Sequence, residues 1–136
     1  MKTGHRLLRF VPVILVMGTI FLLSHQTGSD IQLPRVPGID KLLHALAYGV
    51  LAGTAVYAFP PGTRRRRTLG VGLAVMVFCL LHGLADEFHQ SFIPGRTAGW
   101  ADLAADAAGS MLAVYGWFRF SAPGTMVPVK EPGIRS

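Results

Sequence analysis

Residues 69–90 read LGVGLAVMVFCLLHGLADEFHQ, and the order of residue types in this stretch decides the fold. No charged side chain interrupts the run before Asp86. At 1.5 Å rise per residue, about 20 helical residues cross a hydrocarbon layer of about 30 Å. The run therefore predicts a transmembrane helix from about Leu69 to Gln90, with its polar residues gathered at the far end. Pro94-Gly95 breaks the chain just beyond it.

Three further apolar blocks lie to either side. Downstream, about Trp100 to Phe118 is rich in small residues at its start and aromatic at its end. Upstream, about Ile39 to Phe59 is stopped by Pro60, Pro61 and Gly62, and Leu7 to Leu23 follows a basic start with Lys2, Arg6 and Arg9. That start resembles a signal peptide, but no A-x-A-like cleavage site follows and further spans do, so an uncleaved helix is expected. The connector from Gln26 to Gly38 holds Pro34 and Pro37 and reads as a loop. The expected architecture is an all-α membrane protein, a four-transmembrane-helix bundle over residues 1–120 with a disordered cytoplasmic tail over 121–136. No internal repeat is evident.

Composition agrees. Hydrophobic residues make up 51% and charged residues 15%, against about 25% charged in a soluble domain. The net charge of +6 raises nucleic-acid binding, but the basic residues flank apolar blocks instead of lining an aromatic-studded surface, so none is expected. The single Cys79 excludes an internal disulfide and reads as a packed free thiol.

Charge also sets orientation. Lys2, Arg6, Arg9, the run Arg64–Arg67, Arg119, Lys130 and Arg135 fall on one face, and Arg35, Lys41 and Arg96 on the other. This bias makes both termini and the four-Arg run cytoplasmic, with the run as a topology anchor. Trp100 near one interface, and Tyr115, Trp117 and Phe118 near the other, read as aromatic belts.

The acidic residues fall the opposite way: Asp30, Asp40, Asp86, Glu87, Asp102 and Asp106 are extracytoplasmic, and Glu131 is not. Ionisable groups within or at the mouth of a span are costly unless they face a cavity or a partner. Asp40, His44 and Tyr48 recur at helical spacing on one face, with Lys41 beside them. His82, Asp86 and His89 share a face of the third block, with Gln90 beside it and Glu87 displaced toward an adjacent face. Asp102, Asp106 and Gly109 line one side of the fourth, and Arg96 lies in the turn between. Arg96 is the natural bidentate partner for these carboxylates or for an anionic lipid phosphate. Two readings stay open: an ionic clasp of Arg96 with Asp86, Glu87 and Asp102, or a site that binds or processes a substrate. His44, His82, His89 and nearby carboxylates have acceptable ligand types for zinc but lack H-E-x-x-H spacing, so no metal and no cofactor is expected. Neither Ser91 nor Ser110 sits in a nucleophile motif, and His5 and His25 read as exposed flanking residues. The recurring glycines read as helix-contact positions, not as phosphate loops.

Several of these stretches together resemble a known family. Phe21-Leu22-Leu23-Ser24-His25-Gln26, then Ile39-Asp40-Lys41-Leu42-Leu43-His44-Ala45-Leu46-Ala47-Tyr48, is similar to the start of VanZ-like membrane proteins. Ala85-Asp86-Glu87-Phe88-His89-Gln90-Ser91-Phe92-Ile93-Pro94-Gly95-Arg96 resembles their most distinctive segment, and Asp102 through Gly109 their closing D-x-x-x-N-x-x-G pattern. Asp106 stands where the family often has Asn, and Gly99 where Ser is common. The extra carboxylate at 106 raises a pKa nearby or demands a cation. The resemblance implies an integral membrane protein linked to reduced sensitivity to teicoplanin-type lipoglycopeptides, with no settled reaction.

The expected functional patch is Asp40, His44, Asp86, Glu87 and His89 for acid–base chemistry, with Lys41, Tyr48, Gln90, Arg96, Asp102 and Asp106 for binding. Its expected partners are membrane lipids or a lipid-linked envelope precursor, and oligomerisation is compatible with this reading. The rival expectation is a non-catalytic accessory protein whose polar cluster only clasps the helices. The orientation is tested by a cysteine substituted beside Arg96, which should react with an impermeant thiol reagent on intact cells. Labelling only after lysis reverses the topology.

Overall fold

The computed structural model describes residues 7–27, 36–96 and 99–121, all helices and connecting turns, with no strand among them. The expected tail and most of the first connector, with Asp30 and Arg35, lie outside the described residues, as do Lys2, His5, Arg6, Lys130, Glu131 and Arg135. A 3₁₀ turn at Leu8–Phe10 leads into α1, Val11–Ser24. Pro12 falls in its first turn, where a missing N–H costs no helix bond. Helix α2 spans Ile39–Ala58, α3 Pro61–Arg66, α4 Thr68–Gln90 and α5 Trp100–Ser121.

The predicted blocks become helices with small changes at their ends. The prolines after α2 do more than stop it. Pro60 is extended and Pro61 opens the short α3, because proline's fixed φ suits a first helical position. The arginine run thus begins on a helix. Beyond α4, the amide of Arg96 bonds to the carbonyl of Ile93 (3.2 Å), with Pro94 and Gly95 at the corner. Gly95 has φ +75°, so this is a type II turn that needs glycine at that position. It aims Arg96 back over the end of α4.

The most extensive packing is between α2 and α5, with α4 against α5 next and α1 laid across α2 and α4. Glycine makes the first pairing possible. A Cβ on Gly109 would fall on the backbone of Ala45, 2.6 Å from its carbonyl carbon, and one on Gly49 would lie 3.4 Å from the Gly109 carbonyl oxygen. Here the two helices touch backbone to backbone. At the other end of α4 and α5, Gly72 leaves room for the Phe118 ring. The core is correspondingly fine-grained: Leu51, Ala52, Ala55 and Val56 of α2 meet Val71, Val75 and Cys79 of α4 and Val114 of α5.

Outward faces are apolar too. Leu15, Leu22, Leu46, Val50, Leu73, Leu81 and Leu84 are all exposed. Helices α2 and α4 are long and apolar enough to cross a membrane, and Leu8–Ser24 is a shorter apolar segment. Hydroxyls on these faces are satisfied within their own helix, as where Thr19 donates to the Leu15 carbonyl (2.9 Å) and Thr54 to that of Val50 (3.0 Å).

The backbone contact yields a stability prediction. Gly109→Ala should destabilise the protein in detergent by about 3 kcal/mol, at the upper end for overpacking, because a backbone clash has no rotamer to relieve it. Gly53→Ala meets nothing within 4 Å and should stay within about 0.5 kcal/mol of wild type. Thermal unfolding of both variants checks the contrast.

Candidate functional site

Four helix ends meet at one end of the molecule: the C-termini of α1 and α4 and the N-termini of α2 and α5. Of the described arginines Arg96 lies at this end, whereas Arg9 stacks on Tyr57 at 5.3 Å near the opposite end of α2. Nearly every polar residue singled out by spacing arrives at the shared end, but the pairings are set by the α2–α5 contact.

Lys41, one turn before that contact, reaches Asp102 at 2.6 Å and Asp40 at 2.8 Å. His44 Nδ1 lies 2.9 Å from Asp106 Oδ1, and its Nε2 lies 3.7 Å from Asp102 Oδ1. Tyr48 turns inward and its hydroxyl bonds to His82 Nδ1 at 3.0 Å, joining α2 to α4. The Ser110 hydroxyl, fully buried, donates to the Tyr48 carbonyl at 3.4 Å. Gln90 donates to Asp86 Oδ2 (3.0 Å) and to Ser24 Oγ (3.2 Å), which ties α4 to α1. Glu87 accepts the backbone amide of Gly99 at 2.7 Å and so holds the start of α5.

Two expectations are corrected. The predicted Arg96 clasp is absent among the described residues. Lys41 takes Asp102 from α2, because the close approach of α2 and α5 brings it there first, while Arg96 makes no ion pair and has a buried Nε without a partner. His89, expected as an acid–base group on the face of His82 and Asp86, instead pairs with His25 at 3.3 Å and packs against Phe21 with ring centroids 5.0 Å apart. A residue two positions from Glu87 on a helix points some 200° away from it, which puts His89 over α1. The trio His44, His82 and His89 is likewise divided, since His82 is bonded to Tyr48 and His89 to His25.

A cavity of about 230 Å³ opens between α1, α2 and α4. Its lining combines the apolar Ile20, Leu23, Leu43 and Ala47 with the polar Asp40, His44, Asp86, Gln90 and Arg96. Lys41, Glu87, Asp102 and Asp106 do not line it. They form the layer behind His44, where Glu87 Oε1 and Asp106 Oδ2 are buried without hydrogen-bond partners. His44, Glu87 and Asp106 offer ligand atoms within 4.8 Å of one another. Spacing alone missed Ser24 as a site residue. It belongs to the Ser24-His25-Gln26 stretch that resembles the family's start, and that was the available signal. The apolar wall from α1 and α2 carried no signal, because its leucines and alanines look like every other apolar position.

The fold and site together define a small all-helical protein with membrane-compatible helices and an acidic, histidine-bearing cluster at one end. Residues 6–121 match the family model VanZ/LLP1, and the chain belongs to that family. This family is membrane-associated and is linked in general terms to teicoplanin resistance. No curated protein and no solved structure matches the chain.

If Lys41–Asp102 fixes the α2–α5 register, charge reversal tests it. Lys41→Asp and Asp102→Lys should each lower thermal stability, and the double variant should recover about 0.5–1 kcal/mol of coupling. The modest figure reflects a Lys41 side chain that is 39% exposed.

Proposed function

We propose that this chain is a four-span cell-envelope protein, with both termini cytoplasmic, that binds the headgroup region of a lipid or lipid-linked envelope precursor from the extracytoplasmic side. The observation that carries this reading is the mixed lining of the cavity, which combines Ile20, Leu23, Leu43 and Ala47 with Asp40, His44, Asp86, Gln90 and Arg96. Such a surface suits the junction between acyl chain and headgroup, where an apolar stem continues into polar or anionic oxygens. Arg96, with no carboxylate partner among the described residues, is the group that would clamp a phosphate. The apolar outer faces and the clustering of Arg9 and Arg64–Arg67 away from the cavity support the membrane placement. The family's general link to teicoplanin resistance accords with an envelope-lipid ligand. In a catalytic version, His44 and Asp86 move protons, since they line the cavity and Glu87 does not.

A second reading is favoured by a different observation. Lys41, Asp102, Tyr48 and Gln90 are all engaged in bonds between helices, as a purely structural clasp requires. Arg96 separates the two. A susceptible host expressing wild type, Arg96→Lys or Arg96→Gln at matched membrane levels is compared for teicoplanin sensitivity, and the purified proteins for retention of anionic phospholipid in detergent. The binding reading expects wild type to protect and to retain lipid, with either substitution weakening retention roughly tenfold or more. Equal lipid retention by all three proteins, with only thermal stability changed, establishes the clasp instead.

A further inference from the structure

The cluster behind the cavity has an unbalanced charge. Among the described residues, Asp40, Asp86, Glu87, Asp102 and Asp106 stand at this end with two fixed cations, Lys41 and Arg96, and Lys41 is held by Asp40 and Asp102. Asp86 receives the Gln90 amide. Glu87 and Asp106 are left with a backbone amide and an imidazole respectively, each on one oxygen. Their second oxygens, Glu87 Oε1 and Asp106 Oδ2, are buried and unpartnered, and the Asp106 side chain is only 2% exposed. Two carboxylates buried side by side with a free oxygen each are costly unless a cation lies between them.

We infer that His44, Glu87 and Asp106 form a binding site for one divalent first-row transition-metal ion of the zinc class. Three helices supply the three ligands: His44 from α2, Glu87 from α4 and Asp106 from α5. Their ligand atoms fall within 4.8 Å of one another. Ligands about 2.0 Å from a tetrahedral zinc lie about 3.3 Å apart, so ion binding would draw the more distant ligand atoms together by up to about 1.5 Å. One imidazole with two carboxylates suits zinc or its first-row neighbours, whereas calcium and magnesium favour all-oxygen shells.

The surroundings orient the ligands as a metal site requires. Gly99 N–H occupies Glu87 Oε2 and leaves Oε1 free to bind. A metal at His44 Nδ1 would replace the bond that this nitrogen makes to Asp106 Oδ1 (2.9 Å), with the imidazole proton carried on Nε2, which stands 3.7 Å from the Asp102 carboxylate. Gly83 leaves space beside Asp106 Oδ2, where a Cβ would lie at 3.1 Å. His44 also lines the cavity, so a bound ion borders it. Three protein ligands leave a coordination position open. No sequence motif announces this site because its ligands lie on three separate helices. It does not depend on the lipid reading, and metal binding is measured without lipid.

The test uses the full chain, purified in detergent without a polyhistidine tag, stripped with chelator and titrated with Zn²⁺ against a chromophoric competitor. Wild type should bind one equivalent per chain. Asp106→Asn and Glu87→Gln should each weaken binding at least about tenfold, while His89→Gln, which alters the separate His25–His89 pair, should bind as wild type does. Saturating Zn²⁺ should raise the melting temperature of wild type and not that of Asp106→Asn. Absence of stoichiometric binding by folded wild type overturns the assignment and leaves a proton as the cation. Equal affinity of wild type and Asp106→Asn, or loss of binding in His89→Gln, also overturns it by placing the ion elsewhere.

Discussion

The backbone contact between Gly109 and Ala45 is the constraint on which the rest of this structure depends. With hydrogen as the only side chain at 109, α5 settles onto α2 at a distance that a methyl group forbids. In an apolar surrounding, dispersion at such close range is a principal source of helix association, since lipid tails compete equally well for larger side chains. The polar residues that α2 and α5 bring to the cluster lie within about two turns of that point. Asp106 precedes Gly109 by three residues and meets His44, which is adjacent to Ala45. Asp102 lies one turn further back and meets Lys41, one turn before Ala45. Separating the two backbones would take both pairs out of reach at once and would withdraw Ser110 from the Tyr48 carbonyl.

The cluster so assembled is economical in hydrogen bonds and unbalanced in charge. Each buried carboxylate is held by one designated donor: Gln90 for Asp86, Gly99 N–H for Glu87, Lys41 for Asp102 and His44 for Asp106. Two of these bonds join α2 to α5, one joins α4 to the start of α5, and the Gln90 bond lies within α4. They do not neutralise the cluster. One layer, around Arg96 and the cavity, holds an Arg96 Nε that is buried without a partner among the described residues. The layer behind it offers free carboxylate oxygens to a cation. These opposite needs lie on either side of His44, which touches both layers and is placed to connect them.

His25 and His89 form a separate feature, stacked with Phe21 where α1 meets α4. Their distance from the carboxylate layer explains why an ordering of residues along α4 by proximity in sequence misleads. Glu87 and His89 are near neighbours in the chain but lie on different faces of the helix, one against α5 and the other against α1. Tyr48 shows the converse. Its neighbours Asp40 and His44 share its helical face in projection, yet Tyr48 lies deep enough to meet His82 of α4 instead of the carboxylates of α5.

What the sequence by itself determined was the set of long helices, their limits and the residues that gather at one end. Uninterrupted apolar runs such as 69–85 have one stable backbone solution, and Pro94-Gly95 and Pro60-Pro61 punctuate the chain by their own torsional limits. Spacing also placed Asp102, Asp106 and Gly109 on one side of α5, which the contacts bear out. The partners were decided by the tertiary structure. Helical periodicity fixes where a side chain stands about its own axis, but the rotation and offset between two axes come from how closely their small residues approach. That approach gave Asp102 to Lys41 instead of Arg96, sent His89 to His25, and gathered one ligand atom from each of three helices around two unpaired carboxylate oxygens. Those relations join residues as far as 64 positions apart along the chain, as with His25 and His89, and no local pattern encodes them.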